Sequence, residues 1–320
     1  MKPETLAANS NHSQENVSPS FLLIGLGGAG KKSVLSAKKQ HQDAGNPFSI
    51  HTVGLDTDTT DFQDFDSTIN IAPTREAVSA MVENPGRYGP ACRAIVENHP
   101  DLLALETLGH GARTSRLITQ AAFELYDVGI LKKMQRAIHS LLRKGQSQYI
   151  QPVLFTSFGG GTGSAGIILL QNIFTNLSMK SRMTLGLQSG LMNRSIAFVI
   201  DAYAHALQQH NDVTLNWILA NIYAARTELA ELGKVGRGFQ YVFHLGLGND
   251  AGAVFSTIEQ VCEVNGLLAW EWMANYMLFK SRAVDGLDFY KERCRYSGND
   301  IPEALVSAEH IPEYAEPIDK

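Results

Sequence analysis

Apolar residues fall in a few short runs along the chain, and between these runs they recur at helical spacing. The runs are Phe21-Leu22-Leu23-Ile24, residues 51–55, Val153-Leu154-Phe155, Ile196-Ala197-Phe198-Val199-Ile200 and residues 239–245. Each is too short for a lone helix and apolar enough for a buried strand. The spacing predicts helices after the first run (Val34, Leu35, Ala37), over residues 114–126, over the basic stretch 131–144, and over 167–177 and 213–232. Ser256-Thr257-Ile258-Glu259 is a capping box. It opens a last helix reaching to about Lys280, and Val261, Leu267, Leu268, Trp270, Met273, Tyr276, Met277 and Phe279 make that helix apolar nearly all round. Such a helix is expected to be buried on most sides. Residues 61–100, broken by Pro73, Pro85, Pro90 and Pro100, are expected to form an irregular insertion with short helices. Strands alternating with helices predict an α/β fold, a doubly wound and mostly parallel sheet that binds its ligand at the carboxyl ends of the strands.

Composition narrows the class. A chain of 320 residues, 44% hydrophobic, can bury a sizeable core. Its net charge of -5 argues against a nucleic-acid or membrane-surface protein. Cys92, Cys262 and Cys294 are widely spaced and include no CxxC pair, which fits a reducing cytosol. No apolar run is long enough to span a membrane. Residues 1–20 are polar and lack a hydrophobic core, so they predict a disordered leader rather than a signal peptide.

The strongest chemical signal is the stretch QPVLFTSFGGGTGSAG, residues 151–166. A strand broken by Gly159, Gly160 and Gly161 and followed by a helix aims free backbone N–H groups and a positive dipole end at an anion. Thr162, Gly163 and Ser164 add hydroxyl donors that an ordinary turn does not need, which points to a phosphate site. A second glycine loop, Gly25-Leu26-Gly27-Gly28-Ala29-Gly30, also joins a strand to a helix and suits a dinucleotide-binding unit equally well. Lys31 and Lys32 follow it in the first helical turn, where the dipole disfavours cations. They are either near a bound anion or solvated.

GGGTGS resembles the phosphate-binding signature of the tubulin/FtsZ superfamily, GGGTG followed by Ser or Thr and usually Gly; here Ala165 takes that last place. The resemblance covers about residues 21–288 and implies GTP or GDP with Mg2+ as cofactors. It makes Gly27, Gly28, Ala29 and Gly30 the first nucleotide loop. It matches Asp58 to a carboxylate near the metal and terminal phosphate, an Asx turn or helix cap being the competing role. Gly109, Gly111 and Ala112 match a loop that contacts the terminal phosphate, although Arg113-Thr114 replaces the family's Asn-Pro. Arg113 or Arg116 would reach phosphate or face water. Asn249 matches the residue that reads guanine, assisted by Glu263 or Asn265; Asp201 is the candidate for a ribose contact. Asp285 and Asp288 match the acidic loop, whose Asn is replaced by Ala283.

The implied domains are the leader, a GTP-binding domain over residues 21–282 that includes a central helix at 256–280, and an acidic loop with a C-terminal extension over 283–320. The stretch after Asp288 is too short for the family's second, activation domain, so the resemblance implies either the nucleotide-binding half of a longer protein or a lineage that has lost or replaced that domain. The resemblance thus implies a cytoplasmic GTP-binding protein that assembles head to tail, with Asp285 and Asp288 hydrolysing GTP in the neighbouring subunit. Its expected partners are copies of itself and adaptor proteins at its termini, with no nucleic acid. Two alternatives stand beside it: a guanine-nucleotide-binding regulatory module that does not polymerise, and a dinucleotide-dependent oxidoreductase.

Overall fold

The computed structural model describes residues 20–103, 112, 115–144, 150–184, 195–201, 212–235, 237–245, 258–274 and 295–297. The fully buried strand β1 (Ser20–Leu26) lies at the centre of one sheet, paired in parallel with β2 (Ser49–Asp56) and β4 (Ile150–Ser157). Outward from β2 lies β3 (Ser67–Asn70); outward from β4 lie β5 (Ile196–Ile200), β6 (Tyr241–Leu245) and β7 (Arg295–Ser297). The order is β3-β2-β1-β4-β5-β6-β7, parallel except for β7. The expected doubly wound sheet is present. Strand order reverses between β1 and β4, which leaves a crevice at the carboxyl ends of those two strands.

Side chains alternate across each strand and so feed two cores. On one face Leu22, Ile24, Leu154 and Val199 pack with Phe123, Ile167, Leu170 and Ile222. These last four come from α4 (Arg116–Lys144), α5 (Gly161–Thr184) and α6 (Asp212–Lys234). On the other face Phe21, Leu23, Phe155 and Phe198 pack with Val34, Leu268 and Trp272. Val34 lies on α1 (Gly27–Asp43), the other two on α7 (Ile258–Ala274). α1 and α7 approach closely at Gly266, where a Cβ would lie 2.5 Å from the Ser33 carbonyl oxygen.

Three expectations change. Over its described length α7 is not buried on most sides: Glu259, Gln260 and Glu263 are exposed, opposite the face that carries Leu268, Ala269 and Trp272. Its apolar count exceeds what one packed face requires. The predicted helices at 114–126 and 131–144 are one element, α4, kinked at Tyr126 (φ -118°, ψ 15°). The Tyr126 hydroxyl accepts from Thr74 N at 3.0 Å and donates to the Ala72 carbonyl at 3.2 Å. The irregular insertion contains strand β3 as well as α2 (Arg75–Glu83) and α3 (Pro90–Asn98). β3 carries no alternating pattern because Asp66 anchors it: Oδ2 accepts from both N and Oγ1 of Thr52, each at 2.8 Å.

Gly89 precedes α3 and offers no capping side chain, so Glu124 of α4 takes the orphan amides of Ala91 (3.0 Å) and Cys92 (2.8 Å). Removing this carboxylate leaves two amides without their charged acceptor. Glu124→Ala is expected to lose about 1–3 kcal/mol of unfolding free energy in urea titration.

Candidate functional site

The two glycine loops meet at the sheet reversal. α1 begins directly after β1 at Gly27, whose φ of +70° suits glycine; a Cβ there would lie 3.4 Å from Gly163 N and from the Thr162 Cβ. Most of the loop glycines are required by packing. A Cβ on Gly30 would run into the Phe155 carbonyl, one on Gly161 would lie 2.5 Å from the Ser115 carbonyl oxygen, and one on Gly163 2.5 Å from Thr156 Oγ1. Gly28 and Gly160 differ, because a Cβ on either meets nothing within 4 Å. Packing does not require glycine there; the approach of a ligand to the backbone would.

The remaining atoms of the second loop are partly committed. Ser164 Oγ donates to the Gly160 carbonyl at 2.6 Å, so its proton turns into its own helix. Among the described residues, Thr162 Oγ1 has a 3.4 Å contact with Thr57 Oγ1 as its hydroxyl partner. Asn221 of α6 donates Nδ2 to the Gly159 carbonyl at 3.1 Å and holds that oxygen toward α6. Ala29, in the first loop, gives its carbonyl to Ser33 Oγ at 3.0 Å.

A third segment joins at the end of β2. Thr57 Oγ1 accepts from Ala112 N at 2.7 Å, which brings Ala112 against the same crevice. Ala112 thus lies one side chain away from Thr162 of the second glycine loop. Neither Lys31 nor Lys32 is left without a protein partner. Lys31 is buried: its Nζ lies 3.1 Å from Asp56 Oδ2, donates to the carbonyls of Asp58 (2.8 Å) and Thr60 (2.7 Å), and stands 4.9 Å from the centroid of the Phe62 ring. Its counter-charge is the chain's own Asp56, not a bound anion. Lys32 pairs with Glu259 at 2.6 Å across exposed surface. Asp58 forms the Asx turn weighed against its metal role: Oδ1 accepts from Thr60 N at 3.0 Å and Thr60 Oγ1 at 2.7 Å.

A charged cluster that periodicity did not reveal closes the carboxyl ends of β5 and β6. Buried Asp201 accepts from Arg226 of α6 through Oδ2, and His244 Nδ1 lies 3.8 Å from that oxygen. The His244 ring meets Phe158, beside Gly159, edge-on at 5.8 Å. Asn221 and Arg226 had one sequence signal: polar residues beside the helical apolar positions Ile218, Ile222 and Ala225. Arg116 pairs through Nη2 with Glu228 at 2.6 Å, and its buried Nη1 has no partner among the described residues.

The two candidates on α7 separate. Asn265 is buried, with Nδ2 3.3 Å from Ser33 Oγ and 3.5 Å from the Phe198 carbonyl, and its Oδ1 has no partner among the described residues. Glu263 is exposed, and its backbone carbonyl accepts from Ser36 Oγ at 3.0 Å. Gly109, Gly111, Arg113, Asn249, Asp285 and Asp288 lie outside the described residues.

Thiol chemistry is disfavoured at two of the cysteines. Burial pushes Cys92 up to about 12 and Cys262 up to about 11, so both thiols stay protonated. Among the described residues no helix is long and apolar enough to cross a membrane, and no group of three or more His, Cys, Asp or Glu could hold a metal ion.

Burial also pushes His41, His51 and His244 below the usual 6.5. Below about pH 6.5 the unfolded chain therefore binds protons that the folded chain refuses. Their contribution to stability is complete above that pH and shrinks as pH falls below it. Thermal melts are expected to shift downward between pH 7.5 and 5, with a shallower slope for His51→Gln; a flat profile would contradict the burial.

No protein-family model and no curated protein matches the chain. Among solved structures it is similar to CetZ2 from Haloferax volcanii, in a GTPgS-bound protofilament, at 15% identity and a TM-score of 0.44, covering 80% of this chain and 59% of that one. It is similar to CetZ1 of the same organism, a GDP-bound monomer, at 14% identity and a TM-score of 0.44, covering 79% and 58%. CetZ from Methanosaeta thermophila gives 12% identity and a TM-score of 0.44, covering 84% and 55%. The chain spans less than two thirds of the length of each of these structures. At that distance the likeness carries no functional argument, and the function has to be argued from the chain's own crevice.

Proposed function

We propose that the chain binds a guanine nucleotide in the crevice between β1 and β4, with phosphates over Gly28 and against the loop of residues 159–164, whose Gly159 and Ser164 amides are already bonded within the protein. The carrying observation is the meeting of two glycine loops at the sheet reversal, with open space at Gly28 and Gly160 while Gly25, Gly30, Gly161 and Gly163 are closely packed. Each loop opens directly into a helix, so amides and dipole face the same space. The choice of guanine rests on the GGGTGS resemblance, with Asn249 as the base contact and Glu263 or Asn265 assisting. Nucleotide oxygens would supply most ligands of a magnesium ion. The hydroxyls of Thr57 and Thr162 fit as the chain's contribution, whereas Asp56 does not, being held by Lys31.

The finer reading is head-to-tail assembly in which Asp285 and Asp288 of one subunit act on the nucleotide of the next. A carboxylate orients or deprotonates the attacking water in that arrangement. A dinucleotide site shares the same strand order and first glycine loop. Against it stands Asp56: the carboxylate at the end of β2 that would take a ribose hydroxyl already accepts from Lys31 and from Thr57 N at 2.8 Å.

Chromatography of the small molecules released by denaturing the purified protein tests the binding, together with competition by GTP, ATP and NAD against a labelled guanine nucleotide. Guanine nucleotide is expected to compete best, by about tenfold or more over ATP, since a mismatched base leaves a buried polar group unpaired at about 1–3 kcal/mol. Equal competition by ATP, or preference for NAD, sinks the assignment. Phosphate release per subunit that rises with protein concentration supports action between subunits; release independent of concentration contradicts it.

A further inference from the structure

The first carbonyl of the second glycine loop is held from outside the loop. Asn221, buried on α6, donates Nδ2 to the Gly159 oxygen at 3.1 Å. The Gly159–Gly160 peptide is trans, so its C=O and N–H point opposite ways. Fixing the oxygen toward α6 therefore turns the Gly160 N–H away from α6. The same bond bears on a second amide. At the start of α5 the Ser164 N–H returns to the Gly160 carbonyl at 3.1 Å, which carries the helical pattern one residue back from Gly161. The next bond of that pattern, from the Gly163 N–H to the Gly159 carbonyl, is not made. Gly163 N lies instead beside the first loop, 3.4 Å from where a Cβ on Gly27 would sit. Among the described residues neither the Gly160 nor the Gly163 N–H has a hydrogen-bond partner. The anchor itself is firm: further along α6, Arg226 binds Asp201, and the carbonyl of the preceding Ile200 accepts Phe158 N at 3.0 Å.

We propose that Asn221 is a positioning residue that withholds the Gly159 carbonyl from α5, so that the N–H groups of Gly160 and Gly163 stay available to a phosphate; this rests on the nucleotide reading above. Without the Asn221 amide the Gly159 oxygen is a buried acceptor lacking a donor, a state that proteins avoid. The donor one helical turn ahead is the Gly163 N–H. Its capture lengthens α5 by a residue and removes one of the free amides at the helix start. It also turns the negative end of a peptide toward the space an anion would occupy. Asn221 thus acts on the ligand through the backbone of the loop and without touching it.

The competing role is plain packing, in which the Asn221 amide satisfies a buried carbonyl and contributes to stability alone. Amide hydrogen exchange at Gly163 in the nucleotide-free protein separates the two, because they predict opposite signs. In Asn221→Leu, similar in size and unable to donate, Gly163 exchange is expected to slow about tenfold as the amide gains a bond, and GTP affinity to fall about tenfold. Asn221→Gln, which keeps the donor on a longer stem, is expected to recover most of the affinity and the faster exchange. A packing role loosens the loop, so Gly163 exchange stays the same or quickens in Asn221→Leu. Asn221→Ala, which removes the donor without adding bulk, gives the same reading where the leucine variant does not fold. Gly163 exchange that is unchanged or faster in the donor-less variant, or GTP affinity that is undiminished in it, overturns the role of Asn221 alone. A wild type that binds no guanine nucleotide overturns the site itself and this proposal with it.

Discussion

Gly160→Val is expected to fold like the wild type and to lose guanine-nucleotide binding by a hundredfold or more, about 2.7 kcal/mol. The fold has room for the side chain, because a Cβ at Gly160 meets nothing within 4 Å and the residue does not have a positive φ. The conformational cost is that of a poor residue just before a helix, at most about 1 kcal/mol. A ligand has no such room, since the valine would fill the space through which phosphate oxygens reach the amides that follow. Gly30→Ala is the control with the opposite outcome: its Cβ collides with the Phe155 carbonyl in the middle of the sheet, so the protein itself is expected to fail. Melting temperature and calorimetric titration with GTP read both. A folded Gly160→Val that binds GTP with undiminished affinity would remove the phosphate site from this loop.

The largest expected effect on stability lies at Lys31 and Asp56. Their ion pair is buried, with side chains 2% and 6% exposed, and Lys31 also caps two carbonyls of the turn after β2. Removing one partner strands the other charge away from water. Lys31→Ala and Asp56→Ala are each expected to lose about 3–5 kcal/mol in urea unfolding, a large part of the roughly 5–15 kcal/mol that holds a domain together. The double variant is expected to lose clearly less than the sum, because no stranded charge remains. Losses below about 1 kcal/mol, or simple additivity, would show that water reaches the pair. The effect extends to the crevice, since the same lysine holds the turn that carries Thr57.

Local pattern was sufficient for the order of elements. Runs such as 21–24 and 196–200 are apolar on both faces because helices cover both faces of a parallel sheet, and that burial is written in the residues themselves. The glycine loops were equally legible, because the need for backbone without a Cβ is a property of single positions. Pattern failed where a partner far along the chain decides the outcome. β3 has no alternation to read, since its anchor is the reciprocal bonding of Asp66 with Thr52. Lys31 reads as a surface cation until β2 brings Asp56 beneath it, and α7 reads as buried all round until α1 is seen to cover one face only.

The distinction between glycines is of the same kind. Gly160 and Gly161 are identical neighbours in sequence, yet a Cβ on one meets open space and on the other the Ser115 carbonyl. Asp201, Arg226 and His244 come together only because the interior of α6 passes the carboxyl ends of β5 and β6. The sequence by itself determined the alternation of strands and helices and the two loops able to receive an anion, because hydrophobic period and the absence of side chains act locally. The tertiary structure alone decided which buried charges neutralise each other, which glycines are free to face a ligand, and that Thr57 ties three loops together, because each of those depends on a distance between residues remote along the chain.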